Sequence, residues 1–386
     1  MERREGKTMK TLILTVSTGW GHTATAMAIE ARLRQMGGGA HTIDVYKYIN
    51  NFISETLDKS TAIYTKVAPD IYRLVYDYLE GGVEVDQKNI FSLVNRLCSY
   101  KLARLVEDYD PDVIVCTHVF AAQLANELKM RGKTRARIVG IVTDYTIHPY
   151  WETVSCVDYV VTASEVLTYR GVKRGIPERR IKPLGIPVHP KFNESLSKEE
   201  ARKKLGLLPE GDVVLMMGGG LGYGLAASKV ERLLYLRHSF QLLIVCGKNK
   251  KQRKQFEKYR QEHGFEHLHV YGFVDNVQEM MDAADILVSK PGGLTVSEAL
   301  AKKLPMVVVN PIAGHEERNL EFLLNCGLAV SATKTFPLNE AVNLLLSIPR
   351  RREEMRRAIE TVAKPHALED ICQFITTLQV PGHAAL

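Results

Sequence analysis

The chain has 386 residues, of which 45% are hydrophobic and 25% are charged, and its formal net charge is +7. This length suits two domains rather than one core, and the composition is that of a globular protein. The moderate positive charge fits an anionic substrate, an anionic membrane or nucleic acid, without choosing among them. No apolar run approaches the roughly 18 residues of a membrane span, so we expect any membrane contact to be peripheral.

Six cysteines are scattered along the chain without a CxxC pair: Cys98, Cys116, Cys156, Cys246, Cys326 and Cys372. Such spacing favours reduced structural thiols and a reducing compartment. The charged N-terminus leads into an apolar run, Thr11–Val16, that is too short for the core of a signal peptide. We therefore expect a cytoplasmic protein.

Short β-branched runs alternate with helix-period segments. The expected strands of the first half are Thr11–Val16, His41–Tyr46, Asp112–Thr117, Arg137–Thr143 and Val157–Thr162. Those of the second half are Asp212–Met217, Gln241–Cys246, His269–Phe273, Ile286–Ser289, Met306–Asn310 and Leu328–Ser331. The expected helices include Ala24–Met36, Ala226–Arg237, Lys251–His263, Thr295–Lys302 and Glu317–Asn325. This alternation predicts an α/β protein with parallel, doubly wound sheets.

The alternation breaks near Gly185–Ser197, where two prolines and a polar stretch follow an apolar strand. We predict two Rossmann-like domains, at 1–190 and 191–386, with the last helix, Leu368–Leu378, as a candidate to pack back on the first domain. Residues 51–110 depart from the α/β rhythm and indicate long helices rich in Tyr, Ile, Leu and Val. This insertion is either extra core or a surface that meets an apolar partner.

The most informative motif runs from Ser289 to Leu300, where an apolar strand ends, Gly292 and Gly293 turn the chain, and a helix begins. The N–H groups and dipole of a helix N-terminus favour an anion, and ligands bind beyond the carboxyl ends of parallel strands. This turn therefore suits a diphosphate, with the Thr295 hydroxyl as a further donor and Glu298 accepting from two ribose hydroxyls. Alternatively, Thr295 and Glu298 form only a capping box.

Two further strand ends of the second domain carry glycine turns. Pro311–Asn319 places polar side chains where a sugar could be read by its hydroxyls, and Gly218–Gly222 would let backbone approach a phosphate closely. Because three such turns follow strands of one domain, we favour a nucleotide-sugar site over three unrelated loops.

The pattern GGxTxxEAL, followed by a GxExxN turn, resembles the donor signature of the glycosyltransferases that include monogalactosyldiacylglycerol synthases and processive diacylglycerol glucosyltransferases. The lipid II-forming N-acetylglucosaminyltransferase is a more distant relative. The resemblance extends from about Thr11 to the end of the second domain. It implies the GT-B fold, in which two Rossmann-like doubly wound domains face a central cleft, a UDP-sugar donor and inversion at the anomeric carbon. Relatives often carry Gln at the position of His315, which leaves the donor sugar open.

The resemblance also implies roles for individual residues. The phosphates would be held near Gly219 and Gly220 and by the turn Gly292, Gly293, Leu294 and Thr295, and the ribose by Glu298. The sugar would lie near Glu316, Glu317 and Asn319. The uracil edge would meet the backbone at Phe273 and Val274, a stretch that can also be read as a buried strand end.

In the first domain, a Gly-rich turn at Ser17–Ala26 follows the first strand. A dinucleotide fingerprint with Asp44 as its ribose carboxylate is one interpretation, but Ala24 stands where the third glycine belongs. In the lipid glycosyltransferases, a GxGH turn opens this domain and its histidine faces the cleft. Gly21 would then contact the acceptor, and His22 would be the base, unless it only starts a helix.

The segment Thr143–Trp151 resembles the TDxxxHxxW stretch of the diacylglycerol enzymes. By that resemblance Asp144 orients or replaces His22 as the base, and His148 and Trp151 line the acceptor entrance. A strand-end Asp is also a common turn residue.

There is no clear DxD motif and no zinc-type ligand spacing, so we expect neither a metal nor a cofactor. Basic clusters at Arg170–Lys182, Lys248–Arg260 and Arg350–Arg357 are either solvated faces or contacts with anionic lipid. They lack interleaved aromatic residues, which argues against nucleic acid.

Together these features predict an inverting glycosyltransferase that moves glucose or galactose from a UDP-sugar to diacylglycerol or a similar lipid at an anionic membrane surface. The alternatives are another lipid-linked or small acceptor, a UDP-amino-sugar epimerase on the same fold, and a nucleotide-sugar sensor without turnover.

Overall fold

The computed structural model describes residues 8–17, 20–49, 102–218 and 227–378. The chain divides into two compact units, which we call the first unit (Met1–His189 with His366–Leu386) and the second unit (Pro190–Pro365). Most of the insertion expected at 51–110 lies outside the described residues, as do Gly219 and Gly220.

The first unit contains a six-stranded sheet in the order β2-β1-β3-β4-β5-β6, and every pairing is parallel. Its strands are β1 (Lys10–Thr15), β2 (Gly39–Asp44), β3 (Val113–Cys116), β4 (Arg137–Ile141), β5 (Tyr159–Val161) and β6 (Ile181–Lys182). Its first helices are α1 (Trp20–Gln35), α2 (Val45–Ile49), α3 (Val119–Met130) and α4 (Val166–Lys173). Residues 102–109 are also helical. The central strands are buried on both faces, which explains their continuous apolar sequences.

The second unit has a parallel sheet in the order β12-β11-β10-β7-β8-β9. Its strands are β7 (Asp212–Met217), β8 (Phe240–Val245), β9 (Leu268–Tyr271), β10 (Ile286–Ser289), β11 (Met306–Val308) and β12 (Ala329–Ser331). Its helices are α5 (Lys198–Leu205), α6 (Ala227–Leu234), α7 (Lys250–His263), α8 (Val277–Ala283), α9 (Gly293–Ala301), α10 (His315–Asn325), α11 (Leu338–Ser347) and α12 (Pro349–Val362).

The last helix, α13 (Ala367–Thr377), belongs to the first unit. Ile371 and Ile375 are fully buried in the core that also contains Ile29 of α1. Arg32 donates two hydrogen bonds to Glu369, at 2.5 and 2.6 Å. The chain therefore returns to its first unit after completing the second.

A buried carboxylate organises the amino-terminal edge of the second sheet. Asp285, just before β10, accepts from Lys198 at 2.5 Å, from Arg202 at 2.9 Å and from the Val213 N–H at 2.9 Å. Both Arg202 and Asp285 are buried. This network therefore lies at the edge of the sheet opposite the loops in which the sequence predicted donor residues.

Candidate active site

The strand order of the second sheet changes direction between β7 and β10. These two strands are neighbours in the sheet although they are far apart in sequence. The strands that follow β7 extend the sheet on one side, and those that follow β10 extend it on the other. Such a switch point opens a crevice at the carboxyl ends of the two strands. The loops after β10 and β11, in which the sequence predicted donor residues, therefore share this edge, whereas Gly219 and Gly220 after β7 lie outside the described residues.

The loop after β10 leads directly into a helix N-terminus. Gly292 is the N-cap residue of α9 and has an extended backbone, and no side chain of the described chain caps the helix there. Thr295 is the third residue of α9, so the capping-box interpretation of Thr295 and Glu298 is wrong. The first N–H groups of α9 form the positive end of the helix dipole, and the predicted contacts of Gly292, Gly293, Leu294 and Thr295 with a diphosphate stay predictions.

The second loop, between β11 and α10, is shaped by its own carboxylates. Glu316 accepts from the Ile312 N–H at 2.7 Å, and Glu317 accepts from the Gly314 N–H at 3.1 Å. Gly314 has a φ of 86°, which favours glycine. Asn319 is fully buried and donates to the Pro291 carbonyl at 2.9 Å, which ties α10 to the β10 loop.

These contacts give the second loop a structural role, and the predicted contacts of Glu316, Glu317 and Asn319 with a sugar stay predictions. A Cβ built on Gly292 would lie 3.6 Å from Glu316 Oε1. A larger residue at position 292 would therefore extend toward the Glu316 carboxylate. Since this is an ordinary van der Waals distance, a Cβ fits at position 292.

Glu298 is the most unusual titratable group of this edge. It is half-buried on α9, and within the described ranges its carboxylate has no hydrogen-bond or ion-pair partner. Burial raises its pKa to about 8, and the positive charge of Lys191 offsets part of that effect. Lys191 also donates to the Asp275 carbonyl, in the loop after β9. A carboxyl group that burial desolvates in this way is suited to receive hydroxyl donors from a ligand.

Phe273 and Val274 follow β9, which ends at Tyr271. The Phe273 side chain is 66% exposed, so the interpretation of this stretch as a buried strand end is wrong for Phe273. Its predicted role in binding a uracil through the backbone stays a prediction.

In the first unit, His22 lies in the first turn of α1, and its Nδ1 atom is held from two sides. Nδ1 is 2.9 Å from the Thr117 carbonyl oxygen and 2.9 Å from the Thr143 hydroxyl. A carbonyl oxygen only accepts, so Nδ1 carries the proton and Nε2 carries the lone pair of the neutral ring. This is the tautomer that a general base at Nε2 requires. Gly21, beside it, is half-buried.

The other predicted residues of the first unit lie after β4. Asp144 is half-buried and directly follows Thr143, whose hydroxyl contacts His22 Nδ1. His148 accepts at Nδ1 from the Tyr150 N–H, at 3.2 Å. Trp151 is only 4% exposed, and a Cβ built on Gly140 would lie 2.3 Å from its ring.

Trp151 therefore packs on β4 as a core residue. Its predicted contact with an acceptor, like those of His148 and Gly21, stays a prediction. The catalytic role of Asp144 likewise stays a prediction.

Sequence reasoning missed the partners of His22. Thr117 and His118 follow β3 directly, and the His118 ring meets the His22 ring edge-on, with centroids 4.7 Å apart. His22 and Asp144 were predicted from the resemblance to the lipid glycosyltransferases, whereas His118 lies in no motif that the resemblance covered. Its recognition required knowing that β3 lies beside β1 in the sheet. In the part of the chain that the structure describes, no group of three or more His, Cys, Asp or Glu could hold a metal.

Comparison with known proteins finds a separate family match in each half of the chain. Residues 22–188 match the monogalactosyldiacylglycerol (MGDG) synthase family, and residues 213–371 match the glycosyltransferase family 28 C-terminal domain. Two similar proteins are named processive diacylglycerol beta-glucosyltransferase, from Bacillus pumilus and Bacillus subtilis. Each is 26% identical to this chain over 95% of its length and 94% of theirs.

Solved structures show the same fold. Acinetobacter baumannii MurG matches with a TM-score of 0.64 at 16% identity, over 96% of this chain and 100% of that one. Neisseria meningitidis UDP-GlcNAc 2-epimerase bound to UDP-GlcNAc matches with a TM-score of 0.61 at 13% identity, and Anabaena HepE in complex with UDP with 0.56 at 12%, over the same shares. The chain is therefore a glycosyltransferase of the GT-B fold, whose first half is similar to the MGDG synthase family and whose second half is similar to the glycosyltransferase family 28 C-terminal domain.

Proposed function

We propose that the protein transfers a hexose, glucose or galactose, from a UDP-sugar to diacylglycerol or a similar membrane lipid, with inversion at the anomeric carbon. The names of the Bacillus relatives support the acceptor, and the UDP-bound Anabaena neighbour supports the donor. The observation that carries the proposal is the Glu298 carboxyl, half-buried one turn after the N-terminus of α9.

In this proposal, the second unit binds the nucleotide and stabilises the leaving group. The diphosphate lies at the N-terminus of α9, where N–H groups, the helix dipole and the Thr295 hydroxyl meet its negative charge. These groups are held in place before the reaction, so they stabilise the charge that develops as UDP leaves. Glu298 binds the ribose hydroxyls and sets the position of the nucleotide.

The first unit supplies the base. The acceptor hydroxyl gives its proton to His22 Nε2 while its oxygen forms a bond to the anomeric carbon, and the bond from that carbon to UDP breaks. The imidazolium that results keeps its Nδ1–H on the Thr117 carbonyl and the Thr143 hydroxyl, two acceptors that favour the charged ring. Asp144 is the second candidate for the base.

We further propose that the protein acts at the cytoplasmic face of an anionic membrane, as a peripheral protein. None of the helices that the structure describes has the length and apolar character to cross a bilayer. Helix α4 exposes Tyr169 by 79% and Val166 by 57%. Tyr169 lines a depression of about 520 Å³ together with Glu152, Arg170, Lys173 and Arg174. Exposed apolar side chains beside cations suit the surface of an anionic bilayer.

The direct test is incubation with radiolabelled UDP-glucose or UDP-galactose and vesicles that contain diacylglycerol, followed by thin-layer chromatography of the lipid extract. The proposal expects label to enter a glycolipid with at least one of the two donors. Absence of labelled lipid with both donors, from protein that binds UDP, would contradict the diacylglycerol acceptor.

A second candidate activity is epimerisation of a UDP-amino sugar, favoured by the likeness in fold to the Neisseria epimerase. This reaction needs no lipid. It predicts that UDP-GlcNAc alone is converted to its C2 epimer, which proton NMR detects in the absence of vesicles.

A further inference from the structure

His118 lies two residues after the end of β3 and is the N-cap residue of α3. Its Nδ1 atom accepts a hydrogen bond from the Phe120 N–H, at 3.1 Å. A backbone N–H only donates, so Nδ1 is unprotonated and the proton of the neutral ring is on Nε2. His118 therefore offers a donor at Nε2.

His22 has the opposite tautomer, because its Nδ1 donates to the Thr117 carbonyl and leaves the lone pair on Nε2. The two rings meet at 89° with centroids 4.7 Å apart. Backbone atoms thus hold two neighbouring imidazoles in complementary states, one with an Nε2 acceptor and one with an Nε2–H donor. A hydroxyl group is the ligand that pairs with both, since it donates one proton and accepts at its oxygen.

We propose that His118 is a second acceptor-binding residue, whose Nε2–H holds the oxygen of the lipid hydroxyl while His22 Nε2 takes its proton. This inference rests on the proposed function. The proton passes from the hydroxyl to His22, the oxygen bonds to the anomeric carbon, and the electrons of the broken bond leave with UDP. His118 keeps its proton throughout, because the Phe120 N–H occupies its other nitrogen.

The simpler alternative is that His118 only caps α3. Two substitutions separate the role as a helix cap from the role in acceptor binding. Each one replaces only one of the two ring nitrogens with an amide group at a similar position. His118→Asn places an amide oxygen near Nδ1 and is a favoured N-cap, but it removes the Nε2 donor. His118→Gln carries an amide N–H toward the Nε2 position and is a poor cap.

Turnover with vesicles that contain diacylglycerol is measured per UDP-binding site, counted by calorimetric titration, so that misfolded protein does not enter the rate. We expect His118→Asn to lower kcat/KM for the lipid about tenfold, the effect of losing one hydrogen bond of roughly 1 kcal/mol or slightly more. UDP affinity should be unchanged, and His118→Gln should keep more activity than His118→Asn. Near wild-type activity in His118→Asn, with a loss in His118→Gln, would show a cap only and overturn the proposal.

The tautomers can be measured independently of any activity. In protein labelled with ¹⁵N at histidine, long-range proton–nitrogen correlation should show Nε2–H for His118 and Nδ1–H for His22, assigned with the single alanine variants. The same tautomer in both rings would overturn the proposal even if the protein transfers sugar to lipid. If the two rings have opposite tautomers but the protein transfers no sugar to lipid, the proposed pairing of His22 and His118 stands. Only the proposal that diacylglycerol is the acceptor is then rejected.

Discussion

The substitution Glu298→Gln should weaken UDP binding while it keeps the shape of the side chain. Ribose hydroxyls that donate to an ionised carboxylate are charge-assisted hydrogen bonds, which contribute about 1.5–3 kcal/mol. We therefore expect a loss of roughly tenfold to a hundredfold in UDP affinity at a pH where the wild-type carboxyl is ionised. The matched control is Glu360→Gln, which changes an exposed carboxylate on α12 that pairs with Lys303.

The pH dependence of UDP affinity provides a sharper test. The pKa of Glu298 is about 8 in the unliganded protein, so its carboxyl is mostly protonated at pH 7. Binding the ribose as a carboxylate then requires release of a proton, at about 1.4 kcal/mol for each pH unit below the pKa. UDP affinity should rise about tenfold from pH 7 to values above pH 8 and then level off. Glu298→Gln should remove this rise.

Calorimetric titration at several pH values, in two buffers of different ionisation enthalpy, measures both the affinity and the proton release. Wild-type affinity in Glu298→Gln, or an affinity without pH dependence in the wild type, would refute the assignment of Glu298 to the ribose.

Three further predictions address the base, the membrane and the fold. His22→Ala should lower turnover by about 10²–10⁴-fold with unchanged UDP affinity. Asp144→Asn should lower turnover less, unless Asp144 is itself the base. If His22→Ala keeps more than about a third of the activity, the role of the base moves to Asp144. Tyr169→Ser with Lys173→Ser should weaken sedimentation with anionic vesicles at low salt, because apolar and cationic groups of α4 are lost together; sedimentation equal to wild type would exclude α4 as the contact. Asp285→Ala should destabilise the second unit by about 3–5 kcal/mol, because Arg202 is left buried without its carboxylate partner. An unchanged thermal unfolding midpoint would contradict this and show that water replaces the Asp285 carboxylate.

The strands were predictable because parallel strands buried on both faces have continuous apolar sequences. Asp212–Met217 and Ile286–Ser289 were predicted at their observed bounds. β6 was missed because it has only two residues, Ile181 and Lys182, and shows no periodicity.

The turn between β10 and α9 was predictable in place but not in detail. The spacing of Thr295 and Glu298 fits a capping box, yet the same spacing occurs inside any helix, and the helix begins at Gly293. The raised pKa of Glu298 depends on its burial and on Lys191, which is distant in sequence. The pairing of His22 with His118 likewise depends on strand order, which local sequence patterns do not reveal.

The stereochemistry of the first product tests the central claim most directly. Proton NMR of the glycolipid formed from UDP-glucose or UDP-galactose and diacylglycerol reports the anomeric configuration through the coupling of the H1 proton. An inverting transfer from these α-linked donors predicts a β-linked sugar on the lipid. An α-linked product, or an epimerised nucleotide sugar without a glycolipid, would contradict the account.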